Sequence, residues 1–317
     1  MKIPIIPASY FGMVLGLSGL GTAWRFAAQV WHLPAVVGEA ISLLSVAVWA
    51  ILLILFALKW LIARPDAEAE VGHPVQCCFI GLTGVATMLA AGGLLPYSRG
   101  AAEVMIAAGV LFTVCFGVWR TGGLWQGGRD TAFTTPVLYL PTAAGGFVSA
   151  TMLPALGYAD WGRLLFGLAF FSWLGLESVV IHRLFTAPAM PEALRPTLGI
   201  QIAPTPVALG AYLSVNPGPA DIFTYMLVGY GLLQTLIMIR LFSWIRKEPF
   251  APSYWAFTFG ITALATGPLR LAARGDQGPA AELAPYLFVF ANLVVGLIAL
   301  GTLWLLAKGR LNLKWIG

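Results

Sequence analysis

The stretch Pro252–Arg270, PSYWAFTFGITALATGPLR, decides how the rest of the chain is interpreted. About 20 helical residues at ~1.5 Å each cross the ~30 Å hydrocarbon core of a bilayer, so this stretch spans most of a membrane. It is built from Gly, Ala, Thr and aromatic residues, and it carries no charge before Arg270. Small residues let helices approach closely or leave space beside them. We interpret the stretch as one wall of a narrow pore plugged by Phe259; the alternative is that Phe259 is an ordinary core aromatic.

The composition of the chain is that of an integral membrane protein. Of the 317 residues, 59% are hydrophobic and 10% are charged, whereas soluble domains carry about 25% charged residues. We predict a single transmembrane domain over residues 1–317 in the lipid bilayer of the bacterial inner membrane. We expect no cleavable signal peptide, because Lys2 is followed by Pro4 and Pro7. The net charge of +5 is spread over the loops and indicates topology, not a nucleic-acid partner.

Ten segments are predicted to span the membrane. They lie near residues 6–24, 36–62, 74–95, 101–120, 133–154, 160–185, 196–215, 220–243, 252–272 and 283–307. Of the 18 basic residues, 13 fall on one set of loops and ends, and the other set carries Arg25, Arg99, Arg163, Arg270 and Arg274. Basic residues accumulate on the cytoplasmic side, so this bias predicts that both termini are cytoplasmic and that the number of spans is even.

The odd and even spans differ in composition. Each odd span starts at or near a proline: Pro7, Pro74, Pro136, Pro196 and Pro252. The odd spans also hold most of the Gly and Pro interruptions, whereas the even spans are richer in Leu, Val, Ile and Trp. The fold class is therefore an all-α integral membrane protein of ten transmembrane helices in five repeated hairpins, at about 4–63, 72–121, 133–185, 195–243 and 250–307. Interrupted helices cannot face lipid, so we expect an inner ring of odd helices around a pore and an outer ring of even helices.

The inner ring is predicted to conduct anions. Helix N-termini behave as roughly half a positive charge each, and five of them would gather at the cytoplasmic mouth. The interior of the odd spans offers no charged side chain, and we predict that small and hydroxyl residues line the pore, namely Gly16, Thr83, Thr87, Gly145, Ser149, Thr205, Thr262 and Thr266. Hydroxyl groups bind a weakly hydrated anion without holding it tightly, and conduction requires such weak binding.

No residue pattern indicates an enzyme, a metal site or a cofactor. The histidines do not stand at ligand spacing from Cys, Asp or Glu, and the three cysteines lie in or beside apolar segments. Glu177 is a carboxylate at membrane depth, which makes it a functional candidate. Because it lies in an even span, the alternative interpretation is an internal hydrogen-bonding partner that joins helices or subunits.

Five stretches resemble a known family. They are PASYFGMVLGL at 7–17, LWQGG at 124–128, YLPTAAGGFVSA at 139–150, GYGLLQ at 229–234 and SYWAFTFG at 253–260. The chain resembles the bacterial tellurite-resistance/dicarboxylate transporter family, which includes plant guard-cell slow anion channels and fungal malate permeases. The resemblance implies ten helices in five hairpins, a homotrimer with one pore per subunit, Phe259 as the gating residue and Gly12 as a pore-lining residue that leaves room beside it. The stretch APTPV at 203–207 departs from the family, because Pro206 is a second proline where we expect the relatives to hold an ordinary residue. The resemblance therefore does not predict the helix kink or the pore width at this point of the seventh span.

Three functions stay open at this point. The first is a passive channel for anions such as chloride, nitrate, tellurite or malate, associated with tellurite resistance and gated by Phe259. The second is a proton-coupled carrier of tellurite or mono- and dicarboxylates in which Glu177 titrates. The third is a membrane protein that transports nothing, which the rows of Gly and Thr argue against.

Overall fold

The computed structural model describes residues 3–247, 249–311 and 314–316, and these residues are predominantly helical. The helices are α1 (Gly12–Trp31), α2 (Ala35–Ile62), α3 (Arg64–Gly72), α4 (Gln76–Ile80), α5 (Leu82–Leu94), α6 (Arg99–Trp125), α7 (Gly145–Ala155), α8 (Ala159–Thr186), α9 (Pro204–Val215), α10 (Ile222–Ile245), α11 (Thr258–Ala273) and α12 (Pro279–Ala307). Two short strands, β1 (Ile3–Ile5) and β2 (Lys314–Ile316), pair antiparallel. Their pairing brings the two ends of the described chain to the same face of the molecule.

Among the described residues, 8 helices are long and apolar enough to cross a membrane. They are Ala35–Ile62, Gln76–Leu94, Arg99–Trp125, Pro136–Ala155, Ala159–Thr186, Glu192–Val215, Ile222–Ile245 and Pro279–Ala307. Each coincides with one of the ten predicted spans. The first and ninth predicted spans also form helices, α1 and α11, but these do not meet the same criterion of length and composition.

Burial separates two classes of helix. In Gln76–Leu94, Pro136–Ala155 and Glu192–Val215, 72–78% of the residues in the most apolar 18-residue stretch are buried inside the protein. In the five longer helices α2, α6, α8, α10 and α12, the buried share is 22–39%. Their exposed surface is rich in Leu, Ile, Val and Phe, as expected of helices that face hydrocarbon. We call α1, α5, α7, α9 and α11 the inner helices, and α2, α6, α8, α10 and α12 the outer helices.

The inner helices contact one another in a closed sequence. Helix α1 contacts α5, α5 contacts α7, α7 contacts α9, α9 contacts α11, and α11 returns to α1. Each inner helix also contacts the outer helix that follows it in the chain, from α1 with α2 to α11 with α12. The inner helices therefore enclose an axis, and the outer helices lie between them and the exterior.

Every inner helix is preceded by a short separate segment, which in four of the five cases is wound differently from an α-helix. These segments are Ala8–Phe11, Gln76–Ile80, Pro136–Tyr139 with Leu140–Ala144, Glu192–Ile202 and Pro252–Phe257; most are 3₁₀ turns, Leu140–Ala144 is a π-helical turn, and Gln76–Ile80 is α4. Prolines within or just before the segments lack the N–H that a continuous α-helix needs. Backbone breaks at membrane depth are tolerated inside the protein or around a water-filled space, which is where the inner helices place them.

Candidate functional site

A cavity of about 120 Å³ lies among the five segments that precede the inner helices. Each inner helix and the segment before it contribute residues to the wall of the cavity, and most of the wall is apolar. Its polar side chains are Ser9, Gln76, Tyr139, Thr197 and Ser253. The sequence did not single out these five residues, although each lies in one of the proline-led segments.

In each inner helix, the cavity-lining residue farthest from the start of the helix is apolar. These residues are Leu15, Leu82, Phe147, Val207 and Phe259, and we call them the floor of the cavity. The first four are at most 7% exposed, whereas Phe259 is half-buried. Phe259 is the second residue of α11, and its ring lies against α1, because a Cβ built on Gly19 would be 3.5 Å from its Cδ2 atom. Phe259 is therefore the floor residue whose side chain has free space beside it.

Gly12 lies in the wall of the same cavity. A Cβ built on it would meet only the Cβ of Trp255, at 3.5 Å. That distance is an ordinary van der Waals contact, so a side chain at position 12 has room to extend. Gly12 and Phe259 are the two predicted site residues that line this cavity.

The predicted residues Gly16 and Thr262 lie where α1 and α11 pack together. A Cβ built on Gly16 would be 2.3 Å from Oγ1 of Thr258, and one built on Gly19 would be 2.1 Å from Oγ1 of Thr262. These Gly–Thr contacts allow the close approach of two helices that small residues permit. Thr266 donates a hydrogen bond to the carbonyl of Thr262 at 2.8 Å, one turn earlier in the same helix.

Of the two predicted residues on α5, Thr87 lies towards an outer helix. Thr87 accepts a hydrogen bond from Trp49 Nε1 of α2 at 3.0 Å and donates to the carbonyl of Thr83 at 2.7 Å. Thr83 Oγ1 is buried and has no hydrogen-bond partner in the described part of the chain.

The predicted residues on α7 and α9 are also packed between helices. A Cβ built on Gly145 would lie 2.0 Å from Cγ2 of Thr113 on α6. Ser149 is fully buried and donates to the carbonyl of Gly145 at 2.8 Å. Thr205 is 2% exposed in the first turn of α9. The assignment of these three residues, and of the residues on α1, α5 and α11, to a pore stays a prediction.

Pro206 does not bend α9 in its middle. It lies in the first turn of that helix, two residues after Pro204, where a missing N–H leaves no carbonyl unpaired. Its ring packs against Gly231 of α10, where a Cβ would be 3.0 Å from Cγ of the proline.

Glu177 lies within a cluster of hydrogen-bond donors behind the cavity wall. Its Oε2 accepts from Tyr139 at 2.6 Å and from Trp173 Nε1 at 2.9 Å. Its Oε1 accepts from Tyr230 at 2.5 Å, and the amide of Gln201 reaches both oxygens at 2.9 and 3.0 Å. Glu177 therefore joins α8 to α10 and to the segments before α7 and α9. Because Tyr139 also lines the cavity, one hydrogen bond separates this carboxylate from the cavity wall.

The end of the molecule where the inner helices begin carries positive charge. The N-termini of all five inner helices lie next to the cavity, and each supplies roughly half a positive charge. Arg120 donates to the carbonyl of Pro74 at 3.1 Å, just before α4. Burial lowers the pKa of the nearby Arg129 guanidinium, yet an arginine remains protonated at neutral pH. Lys59, in contrast, is buried in an ion pair with Glu70 at 2.5 Å, which neutralises it.

Comparison with known proteins assigns the chain to a family. A family model described as SLAC1, voltage-dependent anion channel, matches residues 6–303. The chain belongs to this family. The SLAC1 family consists of membrane anion channels and transporters, in agreement with the helices able to span a membrane.

Individual SLAC1-family relatives cover most of the chain. The tellurite resistance protein TehA homolog of Haemophilus influenzae is 35% identical over 312 residues, which are 98% of this chain and 93% of that protein. The S-type anion channel SLAH3 of Arabidopsis thaliana is 24% identical over 91% of this chain. The guard cell S-type anion channel SLAC1 of the same plant is 22% identical over 94% of this chain. The chain spans about half the length of these two plant relatives, 46% and 55% respectively.

Proposed function

We propose that the protein is a passive anion channel of the bacterial inner membrane whose pore is closed by the ring of Phe259. The observation that carries the proposal is the floor of the cavity. Five apolar side chains, one from each inner helix, line the cavity, and Phe259 alone among them is half-buried. The names of the relatives, anion channels and a tellurite resistance protein, support anions as the transported class.

The proposed architecture extends the observed helices to ten membrane spans in five repeated hairpins, with both termini in the cytoplasm. The closed sequence of inner-helix contacts and the pairing of β1 with β2 support it. In this orientation the cavity opens to the cytoplasm, and the five helix N-termini attract anions to its mouth. We further propose that the protein assembles as a homotrimer with one pore in each subunit.

Closure in this mechanism is apolar. A constriction lined by hydrocarbon and aromatic side chains excludes water, and an anion that loses its hydration shell there meets a steep barrier. Rotation of the Phe259 ring into the cavity widens the axis and lets water follow. A χ angle away from its preferred well costs ~0.5–1.5 kcal/mol, so most of the barrier comes from unpacking the ring and wetting the constriction. Among the residues that the structure describes, no charged side chain lines the cavity, so an anion that enters is not held tightly.

Anion flux into vesicles that contain the purified protein tests the proposal. We expect Phe259→Ala to pass chloride and nitrate faster than the parent protein, and comparison with malate and tellurite defines the range of anions. Phe171→Ala is the matched control, because this phenylalanine is 74% exposed on the outer helix α8. Equal flux through Phe259→Ala, Phe171→Ala and the parent, at equal protein density, would contradict the proposal.

A second candidate function rests on the contact between Tyr139 and Glu177. A proton-coupled carrier of tellurite, monocarboxylates or dicarboxylates needs a titratable group near its substrate, and Glu177 lies one hydrogen bond from the cavity wall. That function predicts saturable flux driven by a proton gradient and abolished in Glu177→Gln. Channel function predicts flux that follows the electrochemical gradient of the anion and continues without a proton gradient.

A further inference from the structure

The face of α11 that bears Phe259 also bears Arg270 at the far end of the helix. The two residues are eleven positions apart, which corresponds to about three helical turns and about 16 Å along the axis. Helix α11 is continuous from Thr258 to Ala273, so Phe259, Thr266 and Arg270 follow one another along one face. In the proposed channel, an anion that passes the floor of the cavity moves along this face towards Arg270.

The guanidinium group of Arg270 lies among three inner helices. Its Nη1 donates to the carbonyl of Gly210 on α9 at 2.7 Å, and its Nη2 donates to Ser214 Oγ at 3.1 Å. On the other side, it lies 5.5 Å from the centre of the Phe26 ring on α1. The group thus stands at the end of the bundle where α1, α9 and α11 terminate.

The charge of Arg270 has no acidic counterpart. Both of its hydrogen-bond partners are neutral, and no carboxylate pairs with it within residues 3–247, 249–311 and 314–316. Three other arginines at this end are paired: Arg25 with Glu39, Arg99 with Glu103 and Arg163 with Asp160. A guanidinium has five N–H donors, and two of those of Arg270 are engaged, so three remain for a ligand.

This end of the bundle needs positive charge if anions are to leave through it. The C-termini of the inner helices carry roughly half a negative charge each and repel anions. Arg274 donates to the carbonyls of Asn216 and Gly218, just after α9, at 3.0 and 3.2 Å. Arg25 donates to the carbonyls of Gly92 and Gly93 at the end of α5, at 3.2 and 3.4 Å. These arginines offset the helix ends, and Arg270 adds an unpaired charge on the face that bears Phe259.

We propose that Arg270 is an anion-binding site at the end of the pore opposite the cavity, and that it takes a small inorganic monovalent anion such as chloride or nitrate. The site extends the proposed channel function, on which its role in conduction rests. It supplies a local attraction about 16 Å beyond the apolar floor, at the end where the C-termini of the inner helices repel an anion. Because the hydrogen bonds to Gly210 and Ser214 hold the side chain in place, the charge does not have to reorganise as the anion arrives.

Conduction in the Phe259→Ala background tests this role, because the floor then no longer limits the flux. Arg270→Gln is expected to lower chloride conductance about tenfold at low ionic strength, the lower end of the effect of focused charge in a low-dielectric cleft. The difference should shrink at high salt, which screens the charge, and Arg270→Lys should keep most of the conductance. Arg99→Gln is the matched control, because it removes a paired, exposed charge at the same end. Equal conductance of Arg270→Gln and Arg99→Gln would overturn the proposal.

A binding measurement separates this proposal from the channel function. Nitrate or chloride should raise the thermal midpoint of the purified, otherwise unmodified protein relative to sulfate at equal ionic strength, since a ligand stabilises the state that binds it. The increase should disappear in Arg270→Gln and persist in Arg99→Gln. If Phe259→Ala conducts and Arg270→Gln retains the full stabilisation, the site is refuted while the channel stands. If Phe259→Ala is silent but the stabilisation depends on Arg270, the channel is refuted while the site stands.

Discussion

Glu177→Gln replaces one carboxylate oxygen by an amino group inside a cluster made of donors. The two oxygens accept six hydrogen bonds, from Tyr139, Trp173, Tyr230, Gln234 and twice from Gln201. A glutamine amino group cannot accept any of them. Tyrosine hydroxyls can turn and accept instead, so the outcome depends on the donors that cannot turn.

Each of the two orientations of the new amide leaves a conflict. With the amino group at the Oε2 position, it faces Trp173 Nε1, which is a donor only. At the Oε1 position, it faces the amide nitrogens of Gln201 and Gln234, so both amides must turn, and the Tyr139 hydroxyl must accept from Gln201, to whose oxygen it now donates at 3.0 Å. A buried donor left unsatisfied costs about 1–3 kcal/mol. We therefore expect the free energy of unfolding of Glu177→Gln to fall by about that amount.

Thermal unfolding of the purified protein in detergent measures this loss. At about 2–4 °C per kcal/mol, the expected fall in the thermal midpoint is several degrees. Glu103→Gln is the matched control, because its carboxylate forms an exposed pair with Arg99, and such pairs contribute little to stability. A midpoint for Glu177→Gln within one degree of Glu103→Gln, or above the parent, would refute the hydrogen-bond account of this residue.

Two further predictions concern glycines of α1. Gly19→Ala should destabilise the protein by about 1–3 kcal/mol, because its methyl group overlaps Thr262 in the packed α1–α11 contact. Gly296→Ala is the control and should not destabilise the protein, because nothing lies near its added Cβ. Equal thermal midpoints for the two variants would contradict the contact between Gly19 and Thr262. Gly12→Ala should leave stability unchanged, since its Cβ makes an ordinary contact, whereas Gly12→Asp should block chloride flux through Phe259→Ala by placing a negative side chain in the cavity. Undiminished flux in that double variant would show that anions do not pass Gly12.

The membrane spans were accessible from the sequence because they depend on length and composition. Eight of the ten predicted segments are helices apolar enough to cross a bilayer, as the runs of Leu, Ile and Val indicate. The proline at the start of each odd span also located the segments that surround the cavity. Membership of the family follows from the motifs around Gly12, Tyr139 and Phe259, which lie in three of the five resembling stretches.

The orientation of individual side chains was not accessible in the same way. A 3.6-residue period relates the faces of one continuous helix. Four of the five inner helices follow a segment with a different winding, and a break at Gly81 separates α4 from α5, so the period does not continue from the segment into the helix. Small and hydroxyl residues suit both a pore wall and a close helix contact. Thr87 bonds to Trp49 on α2, and Gly145 lies against Thr113 on α6, and no local pattern distinguishes these positions from a pore lining.

The cluster around Glu177 depends on residues that are distant in the chain. Its donors come from α8, from α10 and from the segments before α7 and α9. A lone carboxylate in an apolar helix signals that partners exist, because an unpaired one is costly at membrane depth. Which residues supply the donors follows only from how the helices pack.

Single-channel recording of chloride currents through Phe259→Ala, beside the parent and Phe171→Ala in the same bilayer, tests the central claim most directly. The account predicts long-lived openings in Phe259→Ala, brief or absent openings in the other two proteins, and a reversal potential that follows the chloride gradient. Currents in Phe259→Ala no larger than those of the parent, at matched protein density, would contradict the claim that this ring closes the pore.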